Sequence, residues 1–221
     1  MMTIVLHAPM AGWVAPLDEV PDAVFAERMM GDGVALDPLE GLLRAPCDGE
    51  IVSVPASAHA VTLRLANGAE LLIHIGLETV GLKGDGFVAH VAAGQQVKTG
   101  DRLISFDLDR VGRRAKSLIS PIVLASEGFA FRPLALDRAV GAGDPIAEVT
   151  GQADAAAPEP GSTAIASKEL VISAPHGLHA RPAGRIAAVA REQAASVELG
   201  GAGRRADARS PVAIMALALH D

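Results

Sequence analysis

Short apolar runs recur along the first 150 residues and are broken by Gly, Asp and Pro. They read TIVLHAP (3–9), GEIVSVP (49–55), AVTLRL (60–65), ELLIHIG (70–76), DRLISFD (101–107) and SPIVLAS (120–126). Closely spaced runs of this kind, bounded by turn residues, predict many strands in a sandwich or barrel. The stretches VPDAVFAERMM (20–30) and DRVGRRAKSL (109–118) predict two short helices. The pattern then changes. Residues 151–167, GQADAAAPEPGSTAIAS, have no period and are rich in Ala, Pro and Gly, which predicts a linker. Beyond it, KELVISA (168–174) reads as a strand, and His179-Ala180-Arg181-Pro182 opens an Ala-rich helix running to about Gln193. ASVELG (195–200) and RRADAR (204–209) read as two further strands. Ser210-Pro211 reads as an N-cap and first-turn proline before the apolar helix VAIMALAL (212–219). That helix ends where the sequence ends, with nothing after it to complete a core, so the second unit is expected to be incomplete and loosely packed.

Composition narrows the classes. Half of the 221 residues are hydrophobic and a fifth are charged, which excludes a disordered chain. Residues 1–150 carry a net charge of −7, the linker −2 and residues 168–221 +2. No basic footprint for nucleic acid is present, and two units of opposite sign can attract each other weakly. Cys47 is the single cysteine and has no disulfide partner within the chain. No apolar run is long enough to span a bilayer, and the first residues lack a signal-peptide pattern. A soluble, cytoplasmic protein is expected.

The hairpin SAHAVTLRLANGAELLIHIG (57–76) carries the first candidate site. Asn67-Gly68 is a strong turn signal. A two-residue turn there places Ala66 opposite Ala69, His74 opposite Val61 and His59 opposite Gly76. His59 and His74 then share one face as diagonal neighbours, with Cα atoms about 7–8 Å apart. In this reading Gly76 leaves room for a ligand or a partner beside His59. The pair has several readings. The rings can be hydrogen-bonded polar residues at a strand end. They can ligate zinc, although a third ligand and any H-x-H, H-E-x-x-H or C-x-x-C motif are missing. One can serve as a general base, although no nucleophile elbow is visible. Or one carries a phosphoryl group while the other orients it through a hydrogen bond. The second candidate is His179, at a helix start where free N–H groups and the helix dipole favour an anion, with Arg181 adding fixed positive charge.

These motifs resemble two families. The segments 20–36 (VPDAVFAERMMGDGVAL), 45–54, 57–63, 70–87, 94–111 and 115–126 resemble, in order, the glucose-type enzyme IIA domain of the bacterial phosphoenolpyruvate:sugar phosphotransferase system. APHGLHARPAGRIAAVA (174–190) and ARSPVAIMALAL (208–219) resemble HPr, the histidine phosphocarrier. The resemblance implies an enzyme IIA domain over 1–150, a linker over 151–167 and a C-terminally incomplete HPr-like domain over 168–221, as in multiphosphoryl transfer proteins. The fold implied is mainly β, an antiparallel β-sandwich with hybrid-barrel character, followed by a truncated α/β open-faced sandwich.

The resemblance also assigns roles. His74 matches the phosphorylated histidine, modified on Nε2, and His59 its phosphate-orienting partner. Ser57 matches a supporting hydroxyl, His179 the HPr histidine modified on Nδ1, and Arg181 the arginine beside it. Val24, Phe25, Met29, Met30, Leu72 and Val80 match the apolar partner surface, and Asp22 and Glu78 match acids that meet basic residues of HPr. Pro55, Leu72 and Gly81 depart from the residues usual at their positions. Ser210 aligns with a serine that some HPr proteins use for regulation and is assigned a cap role only. The implied activity is phosphoryl transfer from enzyme I and HPr through His179 and His74 to the enzyme IIB/IIC permease of a glucose- or N-acetylglucosamine-type transporter. No cofactor is expected beyond adventitious zinc at His59 and His74. The alternatives are a regulatory module that binds transporters or kinases when unphosphorylated, and a zinc hydrolase. A biotinyl or lipoyl carrier, suggested by AGQQVKTGD (93–101), lacks the M-K hairpin that would carry its cofactor.

Overall fold

The computed structural model describes residues 2–151, 178–193, 196–201 and 204–217. The 151–167 linker beyond Gly151 and the strand expected over 168–174 lie outside these residues. In chain order the first strands are β1 (Met2–His7), β2 (Gly12–Pro16), β3 (Asp32–Pro38), β4 (Leu42–Arg44), β5 (Gly49–Ser53), β6 (Ala60–Leu65) and β7 (Glu70–His74). They are followed by β8 (Phe87–Ala89), β9 (Gln96–Val97), β10 (Arg102–Phe106), β11 (Ser120–Leu124), β12 (Ala130–Pro133), β13 (Arg138–Val140) and β14 (Pro145–Gly151). Helix α1 (Ala23–Ala26) precedes β3, and α2 (Leu108–Gly112) follows β10. Both helices are shorter than the apolar pattern predicted, and Asp22 and Asp107 cap their first turns.

An eight-stranded antiparallel sheet in the order β13-β2-β3-β11-β7-β6-β5-β9 forms the main layer, and the three-stranded sheets β1-β14-β12 and β4-β10-β8 complete the sandwich. Alternation along the central strands shows why their sequences read as continuous apolar runs. Val34, Leu36, Val61, Leu63, Leu71, Ile73, Ile122 and Leu124 face the main core, which they share with Leu6, Leu43, Ile104, Ile146 and Val149 of the smaller sheets. Ala35, Ala60, Leu72 and Val123 face the other way, into a second cluster with Leu17, Val20, Val24, Phe25 and Met30. Both faces are buried, so the strands carry no polar face. Cys47 lies in the main core, and burial raises its thiol pKa to about 12, so it is inert at neutral pH.

The hairpin register differs from the expectation. Ala60 pairs with His74, Val61 with Ile73 and Leu63 with Leu71, and the Leu65 amide bonds the Ala69 carbonyl. The loop therefore holds three residues, Ala66-Asn67-Gly68, and every pair is shifted by one. Strict alternation would now put His59 and His74 on opposite faces. His59 lies just outside β6, where strict alternation no longer holds, and its ring meets that of His74 there.

The HPr-like segment supplies α3 (Ala180–Arg191), the antiparallel pair β15 (Glu198–Gly201) and β16 (Arg204–Asp207), and α4 (Pro211–Ala216). His179 is the N-cap position of α3, and the Ser210 hydroxyl caps α4 through the Ala213 amide, with Pro211 at its start. Ala183, Ala187 and Ile214 form a small core of their own. Val212 enters the second cluster of the large unit, with Ala180 and Met215 packed against it.

Candidate functional site

The edge of the second apolar cluster, at the ends of β6 and β7, holds the two histidines. Their ring centroids are 5.0 Å apart in an edge-on arrangement, and Phe25 stands 5.7 Å from His74, also edge-on. Exposure is 7% for His59 and 8% for His74. Burial penalises a charged ring. It lowers His74 to about 4, against the raising effects of the Gly76 carbonyl and the Asp22 charge, and lowers His59 to about 3, with help from His74 and His179. Both rings are neutral at neutral pH, so each keeps one unprotonated nitrogen.

Hydrogen bonds decide which nitrogen. His74 Nδ1 lies 2.7 Å from the Gly76 carbonyl oxygen. A carbonyl only accepts, so Nδ1 carries the proton and Nε2 carries the lone pair. The Ser57 hydroxyl lies 2.7 Å from His59 Nδ1. When Ser57 donates, His59 holds its proton on Nε2 and becomes a hydrogen-bond donor. In that state the two rings are a nucleophile and a donor at van der Waals range. Ser57 bonds Nδ1 of His59 and so holds the orientation of that ring.

Gly76 does not leave open space, as the sequence suggested. A Cβ there would lie 2.9 Å from the Ser117 oxygen and 3.0 Å from Thr79 Cγ2, and its φ is +64°. Glycine is required for the left-handed turn that returns its own carbonyl to His74 and for the close approach of the 117–118 backbone.

The expected partner surface is covered by the HPr-like segment. His74, Phe25, Asp22 and Glu78 line one cavity of about 310 Å³ together with His179 and Arg181. Val80 lines it as well, whereas Leu72 and Met30 lie in the buried cluster beneath, with Met29 packed against it. Arg181 Nη2 donates to Asp22 at 2.8 Å and to Glu78 at 3.5 Å. Burial raises the Asp22 carboxyl, but the Arg181 hydrogen bond, the Val24 amide and the charges of Arg181 and Lys116 outweigh it and hold Asp22 below the usual carboxylate range. Arg181 is raised in turn, chiefly by that same hydrogen bond. At the far end of α3, Arg191 ion-pairs with Glu127 at 2.8 Å and donates to the Met29 carbonyl at 3.2 Å. Between the two arginines, Gly184 lies so close that a Cβ would meet Met30 Sδ at 2.9 Å and Val24 Cγ1 at 3.3 Å. The opposite net charges of the two units are therefore realised as ion pairs flanking an apolar contact. Among the described residues, no group of three or more His, Cys, Asp and Glu side chains is placed to hold a metal ion.

Comparison with known proteins agrees with this geometry. The family model for the phosphoenolpyruvate-dependent sugar phosphotransferase system, EIIA 1, matches residues 4–129. The chain belongs to this enzyme IIA family. The model for the HPr component phosphorylation site of the same system matches residues 166–221. Glucose-specific EIIA components of Bacillus cereus and Bacillus anthracis are each 56% identical over 119 residues, covering 54% of this chain and 72% of theirs. The glucose permease IIA of Mycoplasma capricolum shares the fold with a TM-score of 0.63 and 37% identity, over 67% of this chain and 96% of that one. The chain is thus a phosphotransferase-system enzyme IIA followed by an HPr unit, and its chemistry is phosphoryl transfer by way of phosphohistidine. That assignment sets the zinc-hydrolase alternative aside.

Two residues of the site carry no assignment from the sequence. Thr79 and Ser120 are fully buried hydroxyls beneath Gly76. Both sit inside segments that read as ordinary turn and strand, and no spacing distinguishes them.

Proposed function

We propose that His74 accepts the phosphoryl group on Nε2, that His59 steadies it by a hydrogen bond, and that His179 of the same chain can be the donor. The observation that carries this reading is the His74 Nδ1 bond to Gly76, which leaves Nε2 as the nucleophile in a cavity that His179 also lines. In the transfer, the Nε2 lone pair attacks phosphorus, the P–Nε2 bond forms, and the P–N bond to His179 breaks. The electron pair returns to His179, and no proton or co-reactant is consumed. Burial supports the step twice, by keeping the nucleophile neutral and by strengthening donors aimed at the phosphoryl oxygens. Both Arg181 contacts to the acids run through Nη2, so the N–H groups of Nε and Nη1 are the donors assigned to the phosphoryl group.

In this reading the enzyme IIA domain spans 1–150, the linker 151–167 and the HPr-like domain 168–221. Enzyme I charges His179, and phospho-His74 passes its group to the enzyme IIB/IIC permease of a sugar transporter. The names of the relatives favour glucose over N-acetylglucosamine. No helix among the described residues is long and apolar enough to cross a membrane. Donor and acceptor joined in one chain meet at a raised effective concentration, which favours transfer within one chain.

Order of reaction tests the cis route. Transfer from His179 to His74 in the intact chain should be first order in protein, and second-order dependence would refute transfer in cis. Mixing His74→Ala chains with His179→Ala chains should restore flux only in trans, and more slowly.

A further inference from the structure

Around Gly76, two successive peptide units are held at both ends. The Ile75 carbonyl accepts from Thr79 Oγ1 at 2.7 Å, and the N–H of that same peptide, on Gly76, donates to Ser120 Oγ at 3.1 Å. The Ser120 hydroxyl spends its proton on the Leu118 carbonyl at 2.8 Å, so its acceptor side is the one turned to Gly76. In the next peptide, the Leu77 N–H donates to the Ser117 carbonyl at 2.8 Å, and the Gly76 carbonyl receives His74 Nδ1. Thr79 and Ser120 are both 0% exposed. Neither can touch a docked partner, so within the site their hydroxyls act through this turn. Ser120 opens β11, which is paired with β3 and β7 in the middle of the large sheet, so it is a fixed point.

We infer that Thr79 and Ser120 are positioning residues that clamp the Ile75–Gly76 peptide and thereby select the reactive tautomer of His74. The inference rests on the reading of His74 as phosphoryl acceptor. An unanchored imidazole distributes its proton over both nitrogens. A ring protonated on Nε2 has no lone pair where the phosphoryl group arrives. The Gly76 carbonyl excludes that tautomer only while it stays aimed at Nδ1, and its aim depends on its own peptide, held by the Leu77 bond to Ser117, together with the peptide before it. Gly76 has no side chain and a left-handed φ, so its own sterics do not fix the turn. The two hydroxyls supply what glycine lacks, by the logic through which groups behind a histidine set its proton position in metal sites.

The test uses the intact chain with 15N-labelled histidine. In the wild type, the His74 resonances should report a proton on Nδ1 and none on Nε2. Thr79→Val keeps the shape and removes the hydroxyl, and Ser120→Ala removes the other anchor. Each should introduce the Nε2–H tautomer and slow phosphorylation of His74 by phosphoenolpyruvate, enzyme I and HPr by about 10- to 100-fold. Thr79→Ser, which keeps the hydroxyl, should restore both readouts. If Ser120→Ala fails to fold, the Thr79→Val and Thr79→Ser pair decides the matter. A wild-type tautomer and rate in Thr79→Val would overturn the clamp and leave the transfer reading intact. A wild-type chain that takes no phosphate on His74 would overturn the transfer reading, and the spectra would still decide the clamp.

Discussion

Replacing Asp22 by Asn removes one charge from the contact between the two units and leaves its shape. Asn still caps α1 through the Val24 amide, since Asn and Asp are equivalent N-caps. Two carboxylates hold Arg181, and they differ in setting. The Asp22 side chain is 10% exposed and 2.8 Å from Nη2, whereas Glu78 is 56% exposed and 3.5 Å away. A shielded, charge-assisted hydrogen bond contributes about 1.5–3 kcal/mol, and an exposed ion pair about 0.2–1 kcal/mol. Asp22→Asn should therefore lower the docked-to-open ratio about tenfold or more, a loss of about 1.5 kcal/mol. Glu78→Gln should lower it by less than about fivefold. The methyl resonances of Met30 and Val24, which lie beneath Gly184, report docking directly. A double-mutant cycle with Arg181→Ala isolates each pair. If Glu78→Gln costs as much as Asp22→Asn, or if the Asp22–Arg181 coupling is near zero, the assigned docking geometry is wrong.

Three further outcomes follow from the same contacts. Gly184→Leu should separate the units while leaving each folded, because the added side chain must occupy the space of Met30 and Val24; unchanged Met30 and Val24 resonances would contradict this. Gly76→Ala should cost about 2 kcal/mol or more, from a left-handed backbone and the contacts with Ser117 and Thr79, and denaturant unfolding measures it. Stability should also depend on the two histidines. The unfolded rings take up protons as pH falls through 6.5, whereas the folded ones resist until about 4 for His74 and about 3 for His59. Their contribution is complete above pH 6.5 and is lost progressively below it. Melting curves should show this slope in the wild type and a shallower one in a His59→Asn, His74→Asn chain.

Much of the architecture was legible because burial on both faces of the central strands writes itself as unbroken apolar runs. AVTLRL fell on β6 to the residue, and ELLIHIG contained β7. Strands such as β8, β9 and β13 are only two or three residues long and are held by sheet neighbours, so no local period announces them. The histidine pair was also legible, but for a partly wrong reason. The turn holds three residues, and the rings meet because His59 lies outside the regular ladder, which no residue type marks. The Ser210 cap was readable because capping chemistry is local, and the His179 helix start because Pro182 suits a first helical turn. The resemblance assigned Asp22 and Glu78 to basic residues of HPr, and Arg181 to the phosphoryl group. Its engagement with Asp22 and Glu78 depends on how two units meet, and charge balance gave only the sign of that encounter. The hydroxyls of Thr79 and Ser120 were invisible because their role depends on peptide planes that only the folded turn defines.

The most direct measurement is a map of phosphate on individual histidines after the chain is charged with phosphoenolpyruvate, enzyme I and HPr, read by 31P and 15N resonances at alkaline pH. The account places phosphorus on Nε2 of His74 and on His179, with the His74 signal lost in His74→Ala and retained, more weakly, in His59→Gln. Phosphorus on His59, or attached to His74 through Nδ1, would contradict it.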